Sequence, residues 1–135
     1  MANEATQLDA NNLDIRQVTV ADGAAIAKGS ILIVGSDPNT AVVSSGSMHD
    51  IPLGVLLVEK AASDGQTTVP IGVRGDFDMN ADGSITLGKL VTSGTGANQV
   101  REFGAASDEM LHQVIGTCLE TASDNEYVRV RVRLG

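Results

Sequence analysis

Aromatic residues are nearly absent from this chain of 135 residues, where they make up 2% and comprise Phe77, Phe103 and Tyr127, with no tryptophan. A hydrophobic core must therefore be built from valine, isoleucine, leucine and alanine. Hydrophobic residues account for 42% and charged residues for 19%, which is typical of a globular chain. The lack of tryptophan also disfavours a sugar-binding surface, which usually presents aromatic platforms.

Cysteine and positive charge are scarce as well. The single cysteine, Cys118, excludes an intrachain disulfide and a cysteine-based zinc cluster. The formal net charge of -8 argues against binding to nucleic acid or anionic lipid, because both require a basic surface. The apolar runs are too short to span a membrane, and the polar, acidic start has no secretory signal. We therefore expect a soluble protein made in a cytoplasm, with no nucleic-acid or membrane partner.

Short apolar runs separated by turn residues predict an all-β fold. Residues 31–34 and 53–58 have strand length and are bounded by glycine, proline or aspartate. Asp64-Gly65 predicts a hairpin because glycine accepts positive φ. Residues 127–134 alternate between two faces, with three valines and Leu134 on one and three arginines on the other, so one face is buried and the other exposed. We expect a compact barrel or sandwich of about eight short strands, with one short helix capped by Ser107.

The pattern of strands and turns occurs twice along the chain. Gly75 and Gly135 are 60 residues apart, and Gly54 and Gly116 are 62 apart. Such matches with small drifting offsets predict a divergent duplication. The pseudo-repeats are expected at about residues 28–75 and 88–135, within a single β domain of residues 21–135. Residues 1–20 are expected to be an N-terminal arm, flexible and polar over residues 1–12.

The segment that starts at Asp78 matches the front of a calcium-binding loop. Asp78, Asn80 and Asp82 place oxygen ligands at alternate positions, and Gly83 follows at the bend. The twelfth position should be glutamate but is Lys89, and no helices flank the segment. A polar loop without metal is therefore the favoured interpretation, and calcium at Asp78, Asn80 and Asp82 is the alternative.

No catalytic constellation is visible. Cys118 with His49 or His112 would supply a nucleophile and a base. Cys118 lies in an apolar strand, however, where a free cysteine packs as a small hydrophobe. We expect neither an enzyme nor a bound cofactor.

The arginines of the last strand admit two interpretations. Arg129, Arg131 and Arg133 form either a solvated face paired with acids across the sheet, or a basic stripe that meets an acidic partner. The first interpretation is modestly favoured, and the second makes these three residues candidate partner-binding residues.

Several short segments resemble the capsid decoration, or head cement, proteins of tailed phages, which include the lambda-type decoration proteins. The resemblance covers roughly residues 15–135 and is carried by Lys28-Gly29-Ser30 before an apolar run, Pro52-Leu53-Gly54-Val55, Gly72-Val73-Arg74-Gly75-Asp76-Phe77, Gly88-Lys89-Leu90-Val91 and the terminal Val128-Arg129-Val130-Arg131-Val132.

The resemblance implies a structural role on the outer surface of the virion capsid, after assembly in the host cytoplasm. Such proteins are β-rich homotrimers on three-fold sites of an expanded head, where they clamp adjacent capsomers. Their N-terminal arm pairs with a strand of the major capsid protein, and Leu13, Ile15, Val18 and Val20 are the matching anchors here. The alternatives are a carbohydrate- or host-surface-binding β module and a head–tail connector or tail subunit.

Overall fold

The structure, a computed structural model, describes residues 4–7, 14–44, 51–94, 96–104 and 113–134. These residues form an all-β fold, as predicted, and they contain no helix with the length and apolar character to cross a membrane. The predicted helix at Ser107 lies outside the described residues. The ten strands are β1 (Thr6–Gln7), β2 (Asp14–Thr19), β3 (Ile31–Val34), β4 (Ala41–Val43), β5 (Pro52–Leu56), β6 (Thr68–Ala81), β7 (Leu90–Ser93), β8 (Gln99–Glu102), β9 (Val114–Cys118) and β10 (Tyr127–Arg133).

The fourteen-residue strand β6 is the centre of the fold. Its odd-numbered side chains, among them Ile71, Phe77 and Met79, form one apolar face, and these three are at most 1% exposed. The first half of β6 pairs with β2 and β5, and the second half with β1 and β10. Gly75 lies near the change of partners with a φ of 147°, a conformation that other residues rarely adopt.

The second half of β6 belongs to a closed ring of five strands, here called the second barrel. β6 pairs with β10, β10 with β9, β9 with β7, and β7 with β8. Parallel pairing of Asn80 with Gln99 joins β8 back to β6 and closes the ring. Val128, Val130 and Val132 of β10 are completely buried in it, whereas the arginines between them are exposed.

The first half of β6 belongs to a similar ring, here called the first barrel. β6 pairs with β5, β5 with β3, and β3 with β4, while β2 pairs with β6 on the other side. Among the described residues, only an isolated parallel bridge between Thr19 and Thr40, the residue before β4, connects this side to β2. The first barrel is therefore closed by a single bridge, whereas the second barrel is closed by a regular strand pairing between β6 and β8.

The same backbone hydrogen bonds recur in the two barrels. The amide of Gly29 donates to a carbonyl oxygen of β5, and that of Gly88 to a carbonyl oxygen of β9, at 2.8 and 2.9 Å. Asn39 and Asn98 adopt left-handed φ values of 58° and 62° in corresponding turns. These matches fall within the pseudo-repeats predicted at about residues 28–75 and 88–135, and the duplication itself stays a prediction.

The first barrel contains a buried charge cluster around Lys60, whose side chain is 0% exposed. Its ammonium donates to the carboxylates of Asp22 and Asp64 at 2.9 and 3.0 Å, and to the carbonyl oxygens of Asp22 and Ala61. Burial alone would lower the pKa of Lys60, but the two aspartates together raise it above its usual value. The amide of Gln66 and the Lys60 ammonium lower the pKa of Asp64.

Candidate functional site

The strand β2 has an open edge. One edge pairs with β6, and the other meets, within the described part of the chain, only the turn before β4, where Thr19 bridges to Thr40 and its amide donates to the Asn39 carbonyl oxygen at 3.2 Å. The Val20 amide donates to the carbonyl oxygen of Thr67, the residue before β6. In an antiparallel pair, the backbone groups of successive residues point alternately toward and away from the partner strand, so those of Ile15 and Gln17 point away from β6. These groups are therefore available to pair with an added strand.

The corresponding edge in the second barrel is occupied by the chain itself. Strand β1 pairs with β6 there, with Thr6 opposite Asp78. Asp78 and Gln17 occupy equivalent positions in the two barrels. Asp78 lies two residues before Asn80, which closes the second barrel by pairing with β8, and Gln17 lies two residues before Thr19, which bridges to Thr40 in the first barrel. A short extended segment thus fits this kind of edge in the second barrel, and no described segment fills the equivalent place on β2.

An apolar groove of about 390 Å³ lies beside the open edge. Arg16 and Phe77 are equivalent residues of the two barrels. Arg16 of β2 pairs with Ile71 of β6, and Phe77 of β6 pairs with Val130 of β10. Phe77 is 1% exposed in the second barrel, whereas Arg16 is exposed, which leaves the apolar wall of the first barrel open. The groove is lined by Arg16, Val18, Pro52, Leu53, Ile71, Val73 and Leu134.

Three of the four predicted anchor residues can be placed. Ile15 is 54% exposed at the open edge, and Val18 is half-buried and lines the groove. Val20 is 2% exposed and packs in the core, so it is not at the surface of this chain. Leu13 lies outside the described residues. Sequence reasoning missed Arg16 and Gln17, because only the pairing with β6 shows which edge of β2 is open.

The arginines of β10 face β6 across the sheet. Arg131 forms a two-point ion pair with Asp76, from Nε at 2.9 Å and from Nη2 at 3.1 Å. This hydrogen-bonded arginine lowers the pKa of Asp76. Arg129 stands opposite Asp78, and Arg133 opposite Arg74. Asp76 is the acid across the sheet that a solvated arginine face predicts, and it is present at Arg131. The side chains of all three arginines are exposed, so a partner could still reach them.

The candidate calcium ligands do not form a curled loop. Asp78 and Asn80 belong to the extended strand β6, and Asp82 follows its end. The Asn80 amide group is engaged inside the chain, because its Oδ1 accepts from Gln99 at 2.7 Å and its Nδ2 donates to Asn125 O at 3.2 Å. In the described ranges, no cluster of three or more His, Cys, Asp and Glu side chains could hold a metal ion.

Cys118 is fully buried in the second barrel, and its thiol contacts the carbonyl oxygen of Glu120. Burial raises the pKa of the Cys118 thiol, so the nucleophilic thiolate is disfavoured. The two histidines considered as its bases, His49 and His112, lie outside the described residues.

Burial of Cys118 predicts slow reaction with thiol reagents. We expect Ellman's reagent to label the native protein at least about a hundredfold more slowly than the protein in denaturing urea. Absorbance at the wavelength of the released thiolate measures both rates. Comparable rates would contradict the burial of this side chain.

Comparison with known proteins identifies the family. A search of curated proteins gave no significant match. A family model described as phage cement protein matches residues 10–134, which include both barrels and strand β2. Because this match covers nearly the whole chain, the chain belongs to the phage cement protein family.

Proposed function

We propose that this protein binds the outer surface of an expanded phage head and stabilises it by clamping adjacent capsomers, with the open edge of β2 as its capsid-binding site. Membership of the phage cement family supports a structural, capsid-stabilising role in the virion, and that family is not an enzymatic one. The observation that carries the proposal is the β2 edge, which has outward-facing backbone groups and an adjoining apolar groove.

The binding mode we propose is strand addition. An extended segment of the major capsid protein pairs with β2 at Ile15 and Gln17, as β1 pairs with β6 in the second barrel. One apolar side chain of that segment enters the groove, in the place that Phe77 fills in the second barrel. Main-chain hydrogen bonds give affinity, and the groove gives register and selectivity.

Clamping follows from combining several such contacts. A single short strand pairing is weak, since each net hydrogen bond contributes about 1 kcal/mol. A homotrimer on a three-fold site would join three of these contacts and raise the overall affinity through effective concentration. Of the anchors expected from the sequence, Ile15 lies on this edge, and Leu13 is two residues before it in the sequence.

Replacement of Gln17 by proline tests the edge. Gln17 stands opposite Pro70 with its amide facing away from β6, so proline there removes no bond to β6 but blocks an added strand. We expect Gln17→Pro to weaken binding to expanded heads at least about tenfold. Co-sedimentation with heads from the same phage, with bound copies counted per head, measures this.

Gln17→Ala is the matched control, because it shortens the same side chain and keeps the backbone amide. We expect it to bind like the wild type and to saturate at three copies per three-fold site. Normal binding by a folded Gln17→Pro protein, verified by circular dichroism, would exclude the β2 edge as the capsid site.

A further inference from the structure

The two barrels of one chain contact each other through a turn. The turn between β7 and β8, at residues 96–98, places Asn98 against the first barrel, where it is 1% exposed. The amide of Ile31 donates to Asn98 Oδ1 at 2.9 Å, and the amide of Asn98 donates to Ser44 Oγ at 2.8 Å. Ile31 and its register partner Val55 are each 1% exposed in this covered face.

The first barrel has an equivalent turn, and among the described residues its Asn39 is bonded only through the backbone, where its carbonyl oxygen accepts from the Thr19 amide at 3.2 Å. Asn39, in the turn between β3 and β4, has nearly the same left-handed φ as Asn98. An equivalent backbone hydrogen bond closes each turn. The Gly35 amide donates to the Thr40 carbonyl oxygen at 2.9 Å, and the Gly94 amide donates to the Gln99 carbonyl oxygen at 2.7 Å. Asn39 is nevertheless exposed.

The second barrel has the equivalent face, and it is open. Leu90 and Thr117 are register partners on β7 and β9, as Ile31 and Val55 are on β3 and β5. Leu90 is 38% exposed and Thr117 is half-buried. The described residues of each chain therefore carry a buried turn-to-face contact, an equivalent turn that is exposed and an equivalent face that is open.

We propose that the exposed β3–β4 turn of one copy docks on the Leu90–Thr117 face of a second copy. Asn39 Oδ1 accepts from the Leu90 amide, as Asn98 Oδ1 accepts from Ile31 within the chain. The charges agree with this docking, because Asp37 lies in the turn and Arg131, which is 53% exposed while paired with Asp76, stands opposite Thr117 in register. This inference rests on the self-association in the proposed function and names its surfaces.

The contact is head-to-tail, since the turn and the face are different surfaces of one chain. Repetition of such a contact closes into a ring or continues as an open chain. A ring of three copies would contain six barrels. Each barrel would contact the next through the same turn-to-face contact, formed alternately within one chain and between two chains. The trimer suggested for three-fold capsid sites fits this closed form.

Light scattering across a concentration series up to about 100 μM tests the proposal. We expect the wild type to exceed the monomer mass of 13.9 kDa. Leu90→Glu places a charge in the contact and should raise the dissociation constant at least about tenfold. Leu87→Glu is the matched control, because Leu87 is 60% exposed and its counterpart Lys28 stays exposed beside the covered face. It should associate like the wild type.

A mixing experiment tests the head-to-tail geometry. The double variant Asp37→Arg/Asn39→Gly damages the turn and keeps the Leu90 face, whereas Leu90→Glu keeps the turn. Each variant alone should be monomeric, and an equimolar mixture should give a dimer and no larger species.

A wild type that is monomeric throughout the series, a Leu90→Glu protein that associates normally, or a mixture without dimer would overturn the inference. Co-sedimentation with heads distinguishes this failure from that of the proposed function, because a monomer that still binds heads contradicts only the turn-to-face contact.

Discussion

Lys60→Met is expected to lower the melting temperature by about 10 °C or more. Methionine has a similar length but no charge, so Asp22 and Asp64 would lose the ammonium that both carboxylates contact. Removal of the ammonium leaves two partly buried carboxylates, 36% and 28% exposed, next to each other with no cation between them. Thermal unfolding followed by circular dichroism measures the shift. A change of less than about 3 °C would show that the cluster contributes little.

The pH dependence of this difference gives a second readout. The pKa of Asp64 is lower in the folded chain than its usual value. Its stabilising contribution is therefore present above the unfolded pKa, near about 4, and is lost as the pH falls through the folded value. The difference in melting temperature between wild type and Lys60→Met should be largest near neutral pH and should shrink below about pH 4. A difference that stays constant down to about pH 2 would contradict the charge-based explanation.

Gly116→Ala is expected to destabilise the fold by about 3 kcal/mol. A Cβ at this position of β9 would overlap the carbonyl oxygen of Arg131 on β10 and lie 2.8 Å from its carbonyl carbon. The contact is with the backbone of a paired strand, so no side-chain rotation relieves it. The corresponding glycine of the first barrel, Gly54, is also crowded, with the carbonyl oxygen of Gly72 at 2.8 Å from its Cβ position.

Gly23→Ala is the matched control for Gly116→Ala. Nothing lies within 4 Å of a Cβ at Gly23, and its backbone is not in the left-handed region. We expect its stability in urea unfolding to stay within about 0.5 kcal/mol of the wild type. Equal effects of the two substitutions would indicate a general cost of losing glycine and not the close approach of β9 to β10.

Strand β10 could be predicted from the sequence because its pattern has a strict period of two. Val128, Val130 and Val132 alternate with arginines, and the structure buries the former and exposes the latter. The all-β class followed from the same kind of local signal, since short apolar runs between glycine-rich turns leave little room for helices.

The second half of β6 shows why a local pattern is not sufficient. Asp78 and Asn80 alternate with Met79 and Ala81, and the same spacing of oxygen atoms occurs in a calcium loop. The structure places Asp78 and Asn80 in an extended strand, where Met79 and Ala81 are completely buried and Asn80 is itself only 2% exposed. The strand depends on pairing with β10 and β1, which are distant in sequence, so the local pattern alone does not reveal it.

The candidate site depends even more on long-range pairing. The alternation from Ile15 to Val20 predicts a strand or an arm, but it does not show which edge of that strand stays open. That information comes from the partner β6 and from the single bridge to Thr40. The burial of Lys60 is equally invisible in the sequence, because its partner Asp22 is far away along the chain.

Hydrogen exchange on decorated heads tests the capsid-binding role of β2 most directly. The protein is exchanged free and bound at saturation to expanded heads, and the peptide that contains residues 14–19 is compared by mass. We predict that binding slows exchange there, because the outward amides of Ile15 and Gln17 gain hydrogen-bond partners. Unchanged exchange of that peptide on fully decorated heads would contradict strand addition at β2 and place the capsid contact elsewhere on the protein.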